Sequence, residues 1–347
     1  MKKRVRISDV AELARVSPAT VSAVVNNQVG DKIRVSAETQ KRVWDAVAEL
    51  GYVANPVAQS LARGRKSLIG IFTYESIFPI DHQNFYYPFL VGVEQEAERQ
   101  GYNLLLFTNT GPDQKRSAYT NNTNQLQLAD GAIFLGLNEN EQELAHLLDE
   151  GFPIVFIGRR ELADSRIPFA GADYVTGTKD VVRYIASQGH RHIAYVRSFG
   201  DWEANQDRQK GFCTGVEAAG LRTDIQRVER ADVTAAALGQ WLERGITAFV
   251  AENDELGYAL LGAAESLDLR PPENFSLAVL GQPLSPYETI PDWTSFRIPR
   301  QEMGAHAVQL LIKLLDQQLE VFPPPNLLLP CTLVKGTTVG RPPQEER

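Results

Sequence analysis

The sequence predicts a two-part molecule: a small all-α helix-turn-helix head, then an α/β body of two doubly wound parallel-sheet subdomains. Three observations carry this reading. The charge is divided. Residues 1–66 hold 12 Lys/Arg against 6 Asp/Glu, a net of +6, while the remainder holds 23 against 37, a net of −14, so a whole-chain value of −8 hides a basic head on an acidic body. Within the head, apolar residues recur in short stripes at helical spacing, separated by capping residues. From residue 68 onward, short apolar runs alternate with amphipathic stretches, the pattern of parallel strands covered on both faces by helices. A length of 347 residues accommodates two or three domains, and 43 % hydrophobic residues exclude global disorder.

In the head, Asp9 is the expected cap of a first helix with Glu12 at its N3 position, and Val10, Leu13 and Ala14 form its apolar stripe. Val16 and Ser17 end it in a tight turn. Ser17 is a good N-cap for a second helix, Pro18 suits its first position, and Val16 and Val21 are spaced as a hydrophobic staple that would fix the angle between the helices. In that second helix Val21, Val24 and Val25 are expected to face inward, leaving Pro18, Ala19, Ser22, Ala23 and Asn26 outward. Such a slim, uncharged face can approach another surface closely, as the second helix of a helix-turn-helix does in the major groove. A third helix starts at Ser36, carries Val43, Val47 and Leu50 on one face beside Trp44, and closes at Gly51. Asn55, Pro56 and Gly64 bracket a further helix of about two turns, too short to be stable alone and basic through Arg63, Arg65 and Lys66. The boundaries implied are a head over 1–54, a linker or hinge over 55–67 and a body over 68–347.

In the body, strands are expected at 69–74, 103–108, 131–136, 154–158, 192–196, 246–250, 277–281 and 327–334. Helices are expected at 85–100, 113–127, 139–150, 176–188, 206–219, 234–244, 254–267 and 303–318. The two clusters of units imply two subdomains, and in such sheets ligands bind at the carboxyl ends of the strands.

The stretches I-S-D-V-A-E-L-A-R-V-S-P-A-T-V-S-A-V-V-N, V-S-A-E-T-Q-K-R-V and E-L-G-Y-V-A-N-P-V-A-Q-S-L-A-R-G together resemble the headpiece and hinge of the lactose-repressor family of bacterial transcription regulators. The match spans about sixty residues in order. The resemblance implies that Ser17, Thr20, Ser22, Asn26, Ser36 and Tyr52 touch phosphates or sugars of double-stranded DNA. It implies base reading by Pro18, Ala19 and Ala23, a hinge helix capped by Asn55, and a minor-groove lever at Ala58 and Leu61. Ala23 departs from the long polar or basic side chain frequent at that position. An alanine touches a thymine methyl and makes no bidentate bond to guanine, so operator preference should shift toward the hinge and DNA shape.

From residue 68 the chain resembles a periplasmic-binding-protein-type sensor, with G-H-R-H-I-A-Y-V, R-Q-K-G-F and A-E-N-D as landmarks in order. The resemblance places an effector-anchoring arginine on Arg208, whose guanidinium would fork onto a sugar diol or a carboxylate. Asn253 and Asp254 stand at a strand end where a polar anchor is useful, Phe85 and Tyr86 are placed to stack on a sugar ring, and Asp173 joins this set or caps the helix near Thr176. After V-L-G (279–281) the family usually carries an aspartate for effector hydroxyls. Here the chain reads Gln282-Pro283-Leu284, and Trp293 is offered as a stacking or packing residue. A small-molecule effector, with a carbohydrate as the family default, and a homodimer are the implied partners.

Nothing in the sequence argues for catalysis. The five histidines (His82, His146, His190, His192, His306) make no metal-ligand spacing, and there is no G-x-S-x-G elbow and no P-loop. Neither metal nor cofactor is expected. His190 and His192 flank Arg191 at a strand start and are expected to cap or pack. Cys213 and Cys331 form no disulfide framework. The basic N-terminus runs into Ser8, Asp9 and Glu12 rather than an apolar stretch, and no apolar run reaches a membrane span, so a cytoplasmic, membrane-free chain is expected. Two functions fit: a DNA-binding regulator, in the repressor sense of its family, that senses a small molecule; or a carbohydrate-binding protein whose N-terminal helices only mediate oligomerisation.

Overall fold

A computed structural model describes residues 5–26, 34–54, 65–78, 85–109, 116–121, 123–161, 167–282, 291–316 and 326–343. The chain divides into two compact units, Met1–Ser67 and Leu68–Arg347.

The first unit contains α1 (Ile7–Ala14), α2 (Pro18–Val25) and α3 (Ala37–Leu50). Helix α1 begins two residues before the expected cap. Asp9 is its N3 residue, and Asp9 Oδ2 accepts the Arg6 amide at 2.8 Å, so the carboxylate satisfies an orphan donor from inside the first turn rather than from the cap. Arg15 takes a left-handed conformation (φ 53°) and lets the Val16 amide close back on Ala11 O at 3.0 Å. Ser17 Oγ accepts the Thr20 amide at 3.1 Å and starts α2, and Ser36 does the same for α3 through Thr39 at 3.2 Å. Val10, Ala14, Val21, Val24, Val43 and Ala46 close the small core, with Val16, Val47, Leu50 and Tyr52 packed around it. Trp44 stays half exposed on the far side of α3.

In the second unit one six-stranded sheet has the order β13-β7-β6-β5-β1-β2 and is parallel throughout. Its strands are β1 (Leu68–Phe72), β2 (Asn103–Leu106), β5 (Gly131–Phe134), β6 (Ile154–Ile157), β7 (Phe169–Asp173) and β13 (Leu327–Pro330). The other has the order β14-β12-β11-β10-β8-β9, with β8 (His192–Arg197), β9 (Arg222–Arg227), β10 (Ala248–Ala251), β11 (Ser276–Val279), β12 (Thr294–Arg297) and an antiparallel edge strand β14 (Thr332–Val334). Helices α4 (Tyr87–Arg99), α5 (Glu141–Asp149), α6 (Tyr174–Ser187), α7 (Glu203–Ala219), α8 (Ala235–Glu243), α9 (Asp254–Glu265) and α10 (Arg300–Leu315) lie between and beside these strands. The central strands are apolar along their whole length, as burial on both faces requires.

Two helix pairs pack closely through glycine. A β-carbon on Gly92 of α4 would stand 1.8 Å from Gln301 O of α10, and one on Gly211 of α7 would stand 2.3 Å from Val175 O of α6.

The expected pair of parallel sheets is present, with local corrections. Among the described residues of 113–127 there is no α-helix. The described part holds a small hairpin of β3 (Tyr119–Thr120) and β4 (Thr123–Asn124), then a 3₁₀ turn over Gln125–Leu128, because Asn124 Oδ1 caps the turn and the Glu143 carboxylate takes the Ser117 hydroxyl and the Ala118 amide. The single strand expected over 327–334 is two strands, one in each sheet, meeting at Cys331. Strands β7, β9 and β12 carry small or polar residues rather than an apolar run and went unrecognised for that reason. The expected hinge helix lies at 55–64, outside the described residues.

Three stretches carry the chain between the sheets. After β7 it enters α6, which packs on β12 and β14. After β12 it returns through α10, which packs on β5, β6, β7 and α4. At Cys331 it crosses once more. Asp173, Tyr174, Arg300 and Cys331 all sit on these crossings.

Candidate functional site

Two surfaces are candidates. The first is the start of α2. Ser17, Pro18 and Ala19 are exposed, Thr20 and Ser22 are half-buried, and Ser36 is exposed at the start of α3. The small side chains and the proline leave this end of the helix slim. Two expected contacts are corrected. Ala23 is only 1 % exposed and does not face outward. The outward position expected for it from helical spacing therefore carries no access to solvent. Asn26 is also buried, and its Nδ2 donates to Ser22 Oγ at 3.1 Å, turning the amide back onto its own helix. Tyr52 is half-buried against the head core. Asn55, Ala58 and Leu61 lie outside the described residues.

The second candidate is the cleft at the carboxyl ends of the two sheets. Strand order reverses between β1 and β5 in one sheet and between β8 and β10 in the other, and the loops at such points part to leave a crevice. A glutamate ties each reversal together. Glu75, after β1, accepts the Leu137 and Asn138 amides after β5 at 2.8 and 2.7 Å, and the Tyr86 hydroxyl at 2.8 Å. Glu252, after β10, accepts the Ser198 amide at 3.1 Å and the Ser198 hydroxyl at 2.7 Å after β8, together with Tyr195 and Asn205. Arg197 and Glu252 are each 1 % exposed and lie 3.6 Å apart. Arg197 also donates to Ser198 O, Gly200 O, Asp201 and Gln209, so this buried pair has hydrogen-bond partners on every side.

At the lip, the two subdomains are joined by charge. Arg159, after β6, forks onto Asp207 of α7 with 2.8 and 3.0 Å bonds and reaches Glu161 at 2.7 Å. Arg160 lies 3.7 Å from Glu203 and 3.5 Å from Glu139, and donates to Gly136 O. The Glu161 amide donates to Glu203 at 2.9 Å.

Arg208 lies on α7 with its guanidinium 4.5 Å from the Tyr174 ring centroid, and its Nη1 donates to Asn205 Oδ1 at 3.3 Å. Its Nε is buried and has no hydrogen-bond partner among the described residues. Gln282, exposed after β11, accepts from Arg300 Nη1 at 3.3 Å. Asn253 caps α9 by accepting the Leu256 amide at 2.9 Å, with Asp254 next to it, and Asp173 caps α6 by accepting Thr176 at 2.9 Å. Phe85 is half-buried in an edge-on contact with Tyr86 at 4.9 Å.

Two stacking roles are corrected. Tyr86 is 3 % exposed, so its ring faces are covered and only its hydroxyl serves the cleft. Burial and the Glu75 carboxylate push that hydroxyl's pKa well up, keeping it a donor. Trp293 is 4 % exposed within the second core, edge-on to Tyr258 at 5.4 Å, and offers no face to a ligand.

Asp173, Asn253, Asp254 and Gln282 stand at strand ends, Arg208 lies on α7, Phe85 and Tyr86 precede α4, and Trp293 lies in the second core. Sequence reasoning missed Glu75, Arg159, Arg160, Arg197, Tyr174 and Arg300. All six end a strand or follow one within three residues, so the carboxyl-end rule was the signal that could have found them. His190 is a core residue bonded to Thr247, Ser276 and Gly340 O, and His192 pairs with Asp224 at 2.7 Å. Both cysteines are free thiols, and no cluster of metal-binding side chains occurs among the described residues.

Residues 6–55 match the family model described as bacterial regulatory proteins, lacI family, and residues 182–339 match that of a periplasmic binding protein-like domain. Catabolite control protein A of Priestia megaterium is 28 % identical over 323 residues, covering 90 % of this chain and 93 % of that protein. The HTH-type transcriptional repressor PurR of Aliivibrio fischeri (strain MJ11) is 29 % identical over 336 residues, covering 91 % and 94 %. Among solved structures, the lac repressor dimer bound to operator and the anti-inducer ONPF aligns with a TM-score of 0.70 at 24 % identity over 97 % of this chain and 100 % of that one. The transcriptional regulator CelR–cellobiose complex aligns at 0.62 and 24 %, over 96 % and 100 %. At such identity these two likenesses show the fold.

Proposed function

We infer the function from the premise that the chain belongs to the lactose-repressor family of bacterial regulatory proteins: it is a DNA-binding transcriptional regulator, acting as a repressor under the control of a small molecule. The single observation that carries this is the capped, slim start of α2 inside the stretch that matches the lacI family, residues 6–55. The division of labour is a DNA-binding headpiece over 1–54, a hinge over 55–67 and an effector and dimerisation body over 68–347. Two chains pair through their bodies and set two headpieces on the half-sites of a near-palindromic operator. Ser17, Thr20, Ser22 and Ser36 hold the backbone, Pro18 and Ala19 meet base edges, and Leu61 is the minor-groove wedge. Ala23, being covered, narrows base reading to the first turn of α2.

Effector binding in the cleft closes the subdomains, and the crossings carry that rotation to the hinge with a coupling of about 1–3 kcal/mol. The lac repressor relative is bound to operator and the CelR relative to cellobiose, and a polyol or sugar framework is the starting class for this cleft. No helix of the described residues is long and apolar enough to cross a membrane. We place the regulator with its DNA in the cytoplasm and assign it no catalytic activity.

Footprinting of the full chain on DNA upstream of its own gene tests the reading. The expected result is a protected near-palindrome whose occupancy falls steeply with salt. Removal of residues 1–66 should abolish protection. A truncated body that still protects the site, or a full chain that protects nothing at low salt, returns the carbohydrate-binding alternative.

A further inference from the structure

Among the described residues, three cleft arginines are ion-paired and two, Arg208 and Arg300, have no ion pair, although the Asp254 carboxylate acts on Arg300 from further off. Arg159, Arg160 and Arg197 are each paired with an acid. The hydrogen bonds of Arg208 and Arg300 among the described residues go instead to neutral amide oxygens, Asn205 Oδ1 and Gln282 Oε1, both at 3.3 Å. Arg300 is 7 % exposed, and Arg208 Nε is buried and unbonded.

The two guanidiniums converge. Arg208 Nη2 stands 3.9 Å from where a β-carbon on Gly281 would lie, and the next residue, Gln282, is the one that Arg300 binds. Burial lowers the basicity of Arg300, and the positive charge of Arg208 lowers it further, against partial compensation by Tyr174 and Asp254. The Arg208 guanidinium lies over the Tyr174 ring, and Tyr174, Arg300 and Cys331 all belong to the crossings between the sheets. Glu75 and Glu252, the acids at the two points of strand reversal, are engaged by backbone amides and hydroxyls and are not free to take sugar hydroxyls.

We propose that the effector of this regulator is an organic anion, a sugar framework bearing a carboxylate or phosphate group, whose charged oxygens bridge Arg208 and Arg300 at the crossover base of the cleft. This rests on the reading of the cleft as the effector site and names its ligand class. Two guanidiniums held together away from water repel each other, and a forked anion relieves both at once through charge-assisted bonds. A neutral diol accepts the same hydrogen bonds but leaves the repulsion. Gln282 fits the same logic: an aspartate there would neutralise Arg300 and repel an incoming anion, whereas the glutamine leaves the charge in place and adds an amide donor. Because Arg300 opens α10 at a crossing, the anion would act directly on the segment that sets the angle between the subdomains.

The test is a thermal-shift and calorimetric titration of the full chain with D-gluconate, D-glucuronate, D-glucose 6-phosphate and D-glucose at matched ionic strength. At least one anion should raise the melting temperature and D-glucose should not. The carboxylate and phosphate arms then separate the two sources of negative charge. Arg300→Met should weaken the best anion by at least 30-fold and, by removing one of two repelling charges, raise the melting temperature of the ligand-free chain. Gln282→Asp should weaken the anion at least 10-fold. The proposal is overturned if D-glucose binds more tightly than every anion, if no anion shifts the melting temperature, or if Arg300→Met lowers ligand-free stability while leaving the anion response intact. Operator footprints without ligand are recorded in parallel. Their loss with an intact anion response sinks the regulator reading and leaves the ligand class standing.

Discussion

The head and the cleft solve recognition in opposite ways. The head presents short, uncharged side chains on a two-turn helix whose polar atoms are already engaged close by in sequence: Ser17 with Thr20, Ser22 with Asn26, Ser36 with Thr39. The cleft presents long guanidiniums whose partners come from other elements of the fold, 48 positions away for Arg159 and Asp207 and 18 for Arg300 and Gln282. A surface built on caps depends on local geometry and tolerates change elsewhere. A surface built on crossings depends on two sheets keeping their places. The lesson is that the same chain uses local order where it must fit a rigid helical polymer, and long-range order where it must respond to a small ligand.

The sharpest way to break that contrast is a change in the body that ought not to be felt in the head. Trp293→Ala should cost the body about 3–5 kcal/mol by leaving a cavity beside Tyr258. Denaturant unfolding followed by body fluorescence should report it, while helix-region signals of the head melt as before. A common shift of both transitions would show that the two units do not act independently.

A smaller effect is expected in the head. Ser17→Ala removes the cap of α2 and should cost about 1 kcal/mol. Operator affinity, read by fluorescence anisotropy, should fall several-fold, and the melting of the body should not move. Unchanged affinity would mean that α2 holds its start without the serine.

The smallest effect concerns pH. Burial depresses the pKa of His190 in the folded body, against an opposing contribution from its bond to Gly340 O. The unfolded chain therefore binds a proton that the folded chain resists. Stability is full above the ordinary histidine value of about 6.5 and falls as the pH drops below it, levelling off beneath the folded-state pKa. The melting temperature of the body should decline between about pH 6.5 and 5, and His190→Gln should flatten that decline. An identical slope in the variant would assign the titration elsewhere.

Much of the architecture was legible because each cue sits in a short window. Ser17-Pro18, Ser36 and Gly51 mark helix ends within one turn of where they act, and runs such as G-A-I-F and I-V-F-I declare strands buried on both faces. The cues failed where local chemistry was ambiguous. Asp9 satisfies a helix start from N3 as well as from the cap, the Ala118 and Leu126 amides in a stretch of helical composition donate to Glu143 and Asn124 instead, and β9 is a polar edge strand without an apolar run.

Sequence alone thus determined the family of headpiece and the alternation of strand and helix, because periodicity, capping and contiguous motifs act over a few residues. Tertiary structure alone decided that Ala23 is covered, that Trp293 lies in the core, and that Arg300 stands with Arg208 at the crossings. Solvent access and charge pairing depend on neighbours outside any short window: Ala23 is covered within the head unit, and Arg300 stands with Arg208 only because two sheets joined by three crossings pack together.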